Sequence, residues 1–157
     1  MKPSLLRIDF HTHTNFSKDS LTSPEKLVRA SRRKQIDRLV VADHNTIAGA
    51  LHAQAIDPER IIVGEEIMTT GGEILAAYVT TEVPPGLSPK ETIKRLRDQG
   101  AFISVSHPFD TLRKGQWALR DLLEIAPLVD AIEVFNARCI RPGSNRGHAA
   151  VETRGRG

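Results

Sequence analysis

The chain is poor in the residues that build cross-linked folds and thiolate metal sites. Cys139 is the single cysteine among 157 residues. An intrachain disulfide is therefore excluded, and so is a zinc site made of several thiolates. Any metal that this chain holds must be bound by imidazole and carboxylate groups.

Long hydrophobic runs are also missing. No apolar stretch approaches the ~20 residues that cross a bilayer, and the first residues lack the apolar core of a secretory signal. Apolar residues make up 39% and charged residues 26% of the chain, which is typical of a globular domain. We expect one cytoplasmic domain without membrane association.

The net charge of +3 is concentrated at one end. From Arg138 onward five arginines accompany one acid, Glu152, so this stretch carries +4 and residues 1–137 carry −1. Nucleic acid is therefore expected only as a possible substrate, not as the partner of a basic face. Residues 141–157 show no periodicity, and we predict a disordered Arg/Gly-rich tail after a domain at residues 1–140.

Short β-type runs alternate with helical stretches, which favours an α/β fold with parallel strands. Strands are predicted at residues 7–10, 38–42, 60–64, 73–80, 101–105 and 131–135. Helices are predicted at residues 22–35, 46–54, 89–99 and 119–126. Two of the helices begin with capping boxes, Thr22 with Glu25 and Ser88 with Glu91.

Polar side chains follow almost every predicted strand. They are His11, His13, Asp43, His44, Glu65, Glu66, His107 and Asn136. In a parallel α/β barrel the carboxyl ends of the strands share one face, where active sites are built. One such residue alone would be a polar group at a loop, but the repetition indicates a metal site.

The spacing of His11 and His13 is by itself suited to binding one metal. Side chains two residues apart in an extended segment point to the same side, so both imidazoles can reach one metal centre. Asp43, directly before His44, has a simpler interpretation as a group that orients its neighbour or caps the next turn.

Several short motifs follow one another along the chain in a specific order and spacing. They are Asp9-Phe10-His11-Thr12-His13-Thr14, Ser17-Lys18-Asp19, Ala42-Asp43-His44-Asn45-Thr46, Gly64-Glu65-Glu66-Ile67, Gly72-Glu73-Ile74 and Ser106-His107-Pro108-Phe109. Together they resemble the PHP (polymerase and histidinol phosphatase) family of metal-dependent phosphoesterases, over residues 6–138. The resemblance implies a distorted (βα)7-type TIM-like barrel with two or three divalent metals, Mn²⁺, Zn²⁺ or Fe²⁺, that hydrolyses phosphate esters.

The resemblance also implies roles for individual residues. The expected metal ligands are His11, His13, Asp19, His44, Glu66 and His107. Glu66 is expected to be the bridging carboxylate, with Glu65 as the alternative one position away. The attacking group is expected to be a hydroxide held by the metals, and no side chain is assigned a catalytic role beyond it.

Arg113 and Arg138 are candidates to bind the phosphate of the substrate. The alternative for both is a solvated surface arginine, and the sequence does not choose between the two. The expected substrate is a phosphorylated small molecule or a nucleotide. Neither its identity, nor the choice between monoester and diester, nor the oligomeric state can be read from the residues.

The sequence departs from the family pattern in two places. Many relatives have a histidine shortly after the equivalent of Ile74, but Leu75, Ala76 and Ala77 follow here, which puts a third metal in question. A final Ser-Asp-Ala-His-like segment is also missing, and His148 lacks both a preceding strand and the aspartate. We therefore expect a member shortened or frame-shifted at its C-terminus, with an incomplete barrel. Weak metal binding and low or absent turnover are expected unless another chain completes the barrel.

Two rival functions remain open. A degenerate PHP domain would bind metal or a partner without catalysis, and measured turnover separates it from the enzyme. An amidohydrolase also begins with a His-x-His pair, but commonly bridges its metals with a carboxylated lysine. Lys90 and Lys94, the mid-chain lysines, fall on a predicted helix, and Glu66 takes the place of a bridging group.

Overall fold

The computed structural model describes residues 5–139, so the expected tail at residues 141–157 lies outside the described part. The strands are β1 (Ile8–Thr12), β2 (Arg38–Val41), β3 (Ile61–Met68), β4 (Glu73–Ala77), β5 (Phe102–Val105) and β6 (Ala131–Ile132). The helices are α1 (Pro24–Arg33), α2 (Ala48–Ile56), α3 (Pro89–Asp98) and α4 (Leu119–Ile125), followed by a 3-10 turn at Ala126–Leu128.

The helices begin where the sequence supplies caps. Ser88 accepts a hydrogen bond from the Glu91 N–H, and Pro89 is the first helical residue of α3, as predicted. At α1 the cap is Ser23, which accepts from the Lys26 N–H, so the predicted box was one residue early. Within residues 5–139 no helix is both long enough and apolar enough to cross a bilayer.

The six strands form one sheet in the order β1-β2-β3-β4-β5-β6. The prediction of parallel strands is wrong at β4, which runs antiparallel to both β3 and β5. Only residues 69–72 separate β3 from β4, and a parallel connection needs a crossover of roughly a dozen residues or more. The reversal brings the start of β4 to the edge where the other strands end.

The sheet curls towards a barrel. Phe10 on β1 and Phe102 on β5 have ring centroids 5.7 Å apart, although three strands lie between β1 and β5 in the sheet. In the described residues β1 and β6 remain the edges of the sheet, so the fold is an open, incomplete TIM-like barrel of the predicted α/β class.

Two apolar clusters hold the sheet in place. The larger packs the outer face against the helices and includes Val28, Leu39, Ile67, Leu96 and Leu122. The smaller fills the concave face and consists of Val40, Ala42, Ile62, Leu75 and Ala77, with Phe102 against it. Because β2 and β3 are covered on both sides, their sequences are nearly continuous apolar runs, and their carboxyl ends are held firmly at the rim.

Candidate metal centre

Glu66 lies at the centre of four imidazoles brought together from three different segments. Its Oε1 lies 3.2 Å from His11 Nε2 and 3.1 Å from His107 Nε2. Its Oε2 lies 3.3 Å from both His13 Nε2 and His44 Nδ1. The Glu66 side chain is fully buried, so the rim of the sheet holds a carboxylate with four imidazoles around it.

Side chains alternate between the two faces of the sheet along β3, which distinguishes Glu65 from Glu66. Glu66 faces the imidazoles, whereas Glu65 points to the opposite face of the sheet and accepts a hydrogen bond from the Val83 N–H at 3.0 Å. Since neighbouring side chains of a strand point to opposite faces, only one of the pair can reach the centre. The geometry selects Glu66.

Glu73 is a member of the cluster that the sequence analysis did not assign. Its Oε1 lies 3.3 Å from His44 Nδ1 and its Oε2 lies 3.4 Å from His107 Nε2. It reaches them because it is the first residue of the reversed strand β4. The signal was the Gly71-Gly72 turn directly after β3, which indicates a hairpin, and a hairpin returns its second strand to the same edge.

Asp19 lies on the outer side of the cluster. One of its oxygens lies 3.8 Å from His13 Nδ1 and the other 3.8 Å from His44 Nε2. Its Oδ2 also accepts a hydrogen bond of 2.8 Å from Arg138 Nη1. Asp19 is thus brought to the two histidines that face Glu66 Oε2, at a more solvent-exposed position.

Asp43 is fully buried and serves the loop after β1. It accepts hydrogen bonds from the Thr14 N–H and hydroxyl, both at 2.6 Å, and from the Ser17 hydroxyl at 2.9 Å. Because the Ser17 proton goes to Asp43, the Ser17 oxygen is left to accept from His13 Nδ1 at 3.2 Å. Asp43 therefore orients His13 through Ser17.

The arrangement fits divalent cations. Glu66 Oε2 is buried and makes no hydrogen bond within residues 5–139, and a bound cation is one of the few things that would satisfy it. Three groups bring their ligand atoms within 4.8 Å of one another, namely His11 with Glu66 and His107, His13 with Asp19 and His44, and His44 with Glu66 and Glu73. Imidazole and carboxylate ligands together suit Zn²⁺, Mn²⁺ and Fe²⁺.

Comparison with known proteins identifies the family. The sequence model of the PHP domain matches residues 9–84, which include His11, His13, His44, Glu66 and Glu73. An uncharacterized protein of Methanocaldococcus jannaschii is 34% identical over 145 residues, covering 84% of this chain and 82% of that protein. The chain belongs to the PHP domain family.

Further likenesses agree with a PHP fold. A second uncharacterized M. jannaschii protein is 35% identical over 137 residues, covering 85% of this chain but 54% of that protein. The chain therefore spans about half the length of this second relative. The crystal structure of a Bifidobacterium adolescentis protein described as a metal-dependent phosphoesterase superposes with a TM-score of 0.73. It is 16% identical and covers 98% of this chain and 85% of that one, so the two share a fold.

The electrostatics of the PHP centre keep Glu66 and His13 in the protonation states that bind metals. Burial opposes ionisation of Glu66, but His11, His107 and His44 outweigh it and hold its pKa well below the ordinary value. Burial lowers the pKa of His13 to about 4, against the attraction of Glu66. At neutral pH Glu66 is therefore a carboxylate and His13 a neutral imidazole, the forms that coordinate metals.

His11 and Glu73 shift in the opposite direction. Burial opposes protonation of His11, but the carboxylates of Glu66 and Glu133 raise its pKa to about 10. Burial and the charge of Glu66 raise the pKa of Glu73. A cation placed among these carboxylates would displace the proton from His11, because imidazole must be neutral to bind a metal.

Glu133 is a second residue that the sequence analysis did not single out. It directly follows β6, which ends at Ile132 and not at the predicted residue 135. Its Oε1 lies 3.2 Å from His11 Nδ1, and Asn136 Nδ2 donates to the same oxygen at 3.0 Å. Asn136, a predicted strand-end group, thus contacts a carboxylate beside the histidines.

Arg113 and Arg138 lie at the mouth of the PHP centre. Arg113 Nη1 is 3.2 Å from His107 Nε2, and Arg138 donates to Asp19. Both arginines line two adjoining grooves of about 280 Å³ each, one against His11 and His13, the other against His44 and Glu73. The Arg113 side chain is 21% exposed, whereas that of Arg138 is 55% exposed.

His52, Lys90 and Lys94 lie away from the centre. His52 on α2 pairs with Glu25 at 3.1 Å and is half exposed. Lys90 and Lys94 lie on α3, where they pair with Glu124 and Asp98. Neither Lys90 nor Lys94 therefore lies where an amidohydrolase would need a bridging group, whereas Lys114 lines the groove beside His44 and Glu73.

Proposed function

We propose that this chain is a metal-dependent phosphoesterase that hydrolyses a phosphorylated small molecule or a nucleotide. The observation that carries the proposal is the enclosure of Glu66 by His11, His13, His44 and His107, all within 3.3 Å of its carboxylate. Membership of the PHP family supports it, as does the likeness of fold to a protein described as a metal-dependent phosphoesterase.

Two or three divalent ions would be held by groups that share ligands. His11, Glu66 and His107 would hold one, and His13, Asp19 and His44 another. Glu73 would hold a third together with His44 and Glu66, in place of the histidine that the sequence lacks after Ile74. Mn²⁺, Zn²⁺ or Fe²⁺ suits this ligand set.

Bound divalent ions at such a centre supply a nucleophile from water at neutral pH and neutralise charge on the phosphoryl oxygens. The side chains of this chain contribute binding and orientation. Arg113 and Arg138 are planar donors at the two grooves, and a guanidinium binds phosphate oxygens through paired hydrogen bonds. Ser17 and Asp43 hold the ring of His13 with its Nε2 directed at Glu66.

Hydrolysis of p-nitrophenyl phosphate and bis-p-nitrophenyl phosphate by protein loaded with Mn²⁺ tests the proposal. We expect turnover that is abolished by a chelator and restored by metal, since the ions supply the nucleophile. The ratio of diester to monoester hydrolysis then indicates the class of substrate.

Histidine variants provide the matched comparison. The double variant His11→Ala/His13→Ala should lose turnover by at least about a hundredfold, whereas His52→Ala, on an exposed face of α2, should retain it. A folded, metal-loaded protein without turnover would contradict the enzyme and favour a PHP domain that binds metal without catalysis.

A further inference from the structure

Glu133 connects the two open edges of the sheet at the metal centre. His11 belongs to β1 and Glu133 follows β6, the first and last strands in the sheet order. Their side chains nevertheless meet, with 3.2 Å between His11 Nδ1 and Glu133 Oε1. The Glu133 side chain is 18% exposed, so solvent competes only weakly for this contact.

The second oxygen of Glu133 holds another member of the same group. Glu133 Oε2 accepts the backbone N–H of His107 at 2.7 Å. His107 has a φ of +21°, a sparsely populated conformation that surrounding contacts must enforce. One carboxylate thus contacts the ring of His11 and the backbone of His107, the two histidines that face Glu66 Oε1.

The protonation pattern of His11 follows from these contacts. An ionised carboxylate only accepts hydrogen bonds, so a hydrogen bond to Glu133 requires the proton on Nδ1. Without metal, Nε2 also carries a proton towards the Glu66 carboxylate, 3.2 Å away. A cation bound beside Glu66 would displace that proton and leave the neutral ring with its remaining proton on Nδ1. This is the arrangement in which a carboxylate behind a histidine fixes the tautomer of a metal ligand.

Glu133 itself is not arranged as a ligand. Its Oε1 lies beside His11 Nδ1 and accepts from Asn136 Nδ2, and its Oε2 accepts from the His107 N–H. With three donors on two oxygens, its lone pairs are largely used. Among residues 5–139, Glu133 also belongs to none of the three groups whose ligand atoms converge.

We propose that Glu133 is a positioning residue of the metal centre, which fixes the Nδ1–H tautomer of His11 and holds His107 beside it across the open side of the sheet. The inference rests on the proposed function, because it presumes that His11 binds metal. It goes further in assigning a role to a residue that lies outside the expected ligand set.

The tautomer can be read directly from the unaltered protein. The ring-nitrogen chemical shifts of ¹⁵N-histidine-labelled, Zn²⁺-loaded protein show which nitrogen of His11 carries the proton and which binds the metal. We expect a protonated Nδ1 and a metal-bound Nε2. A His11 that binds zinc through Nδ1 would overturn the proposal, and this measurement does not depend on the folding of any variant.

A pair of variants measures the energetic consequence. Glu133→Gln keeps the size of the side chain but leaves a single acceptor oxygen for His11 and the His107 N–H, and we expect Zn²⁺ binding weaker by about 10- to 100-fold. Asp130→Asn is the matched control at the other end of β6. Asp130 also accepts a backbone N–H, that of Ile103, and pairs with Arg97, so it should change Zn²⁺ affinity by less than about twofold.

The outcomes separate this inference from the proposed function. If the unaltered protein binds Zn²⁺ and Glu133→Gln binds it equally well, the positioning role alone is wrong. If the unaltered protein binds none of Zn²⁺, Mn²⁺ and Fe²⁺, both proposals fail. Weakened binding in Glu133→Gln with the expected tautomer supports the role of Glu133 even if no phosphate ester is hydrolysed.

Discussion

Glu73 Oε1 lies 3.3 Å from His44 Nδ1, so the first residue of a reversed strand meets a histidine that follows a parallel one. The same carboxylate reaches His107 with its other oxygen. A buried carboxylate between two imidazoles has the geometry of a metal ligand, although it comes from the amino end of its strand.

Replacement of Glu73 should therefore remove metal. We expect Glu73→Gln to lose one bound ion, because a neutral amide is a poorer ligand than a carboxylate. The remaining ions should bind at least about tenfold more weakly, because His44 and Glu66 belong to more than one of the candidate groups. Metal content after dialysis, measured by mass spectrometry, checks this. Glu59→Gln, at an exposed position before β3, is the control, and equal metal content in both variants would contradict the prediction.

The arginines at the mouth of the centre should affect substrate more than metal. Loss of a charged hydrogen bond to phosphate costs about 1.5–3 kcal/mol, so Arg113→Ala should raise KM by about 10- to 100-fold. Arg120→Ala, an exposed arginine of α4, should leave KM unchanged. Steady-state kinetics and Zn²⁺ titration of both variants make the test, and a raised KM in both would show a non-specific charge effect.

Asp43 should matter for stability as well as for the site. Asp43→Asn places an amide where the Thr14 N–H, the Thr14 hydroxyl and the Ser17 hydroxyl all donate. We expect the free energy of unfolding to fall by about 2–4 kcal/mol, measured by urea denaturation of metal-free protein. Asp98→Asn removes an exposed carboxylate paired only with Lys94 and should cost less than about 1 kcal/mol. If both variants lost a similar amount of unfolding free energy, the hydrogen bonds of Asp43 would contribute no more to stability than an exposed ion pair.

Glu65 should make stability fall as the pH rises. Burial raises the pKa of its carboxyl to about 7, only partly offset by the Val83 N–H. The unfolded chain releases this proton near the ordinary pKa, so the folded state loses relative stability between about pH 4.5 and pH 7. Glu65→Gln removes that loss and should gain stability above pH 7, by at most about 3 kcal/mol.

Denaturation of metal-free Glu65→Gln and unaltered protein at pH 5 and pH 8 checks the sign. The free energy of unfolding of the variant minus that of the unaltered protein should be larger at pH 8 than at pH 5. A difference that is the same at both pH values would mean that Glu65 is ionised in the folded state.

Local sequence determined most of the elements and the main candidate ligands. Ser88 and Pro89 begin α3 because their preferences act within one helical turn. The apolar runs of β2 and β3 identify strands buried on both faces. His11, His13, His44, Glu66 and His107 could be selected because each lies at or directly after a strand, where the fold class places its site.

The tertiary structure alone decided that Glu73 and Glu133 lie beside these histidines and Glu66. Glu73 joins because β4 is reversed, and Glu133 joins because the curl of the sheet brings the end of β6 against His11 on β1. These contacts link residues as far apart as 11 and 133. Their existence depends on strand direction, register and curvature, which arise from packing of the whole sheet and leave no periodicity in any one segment of the sequence.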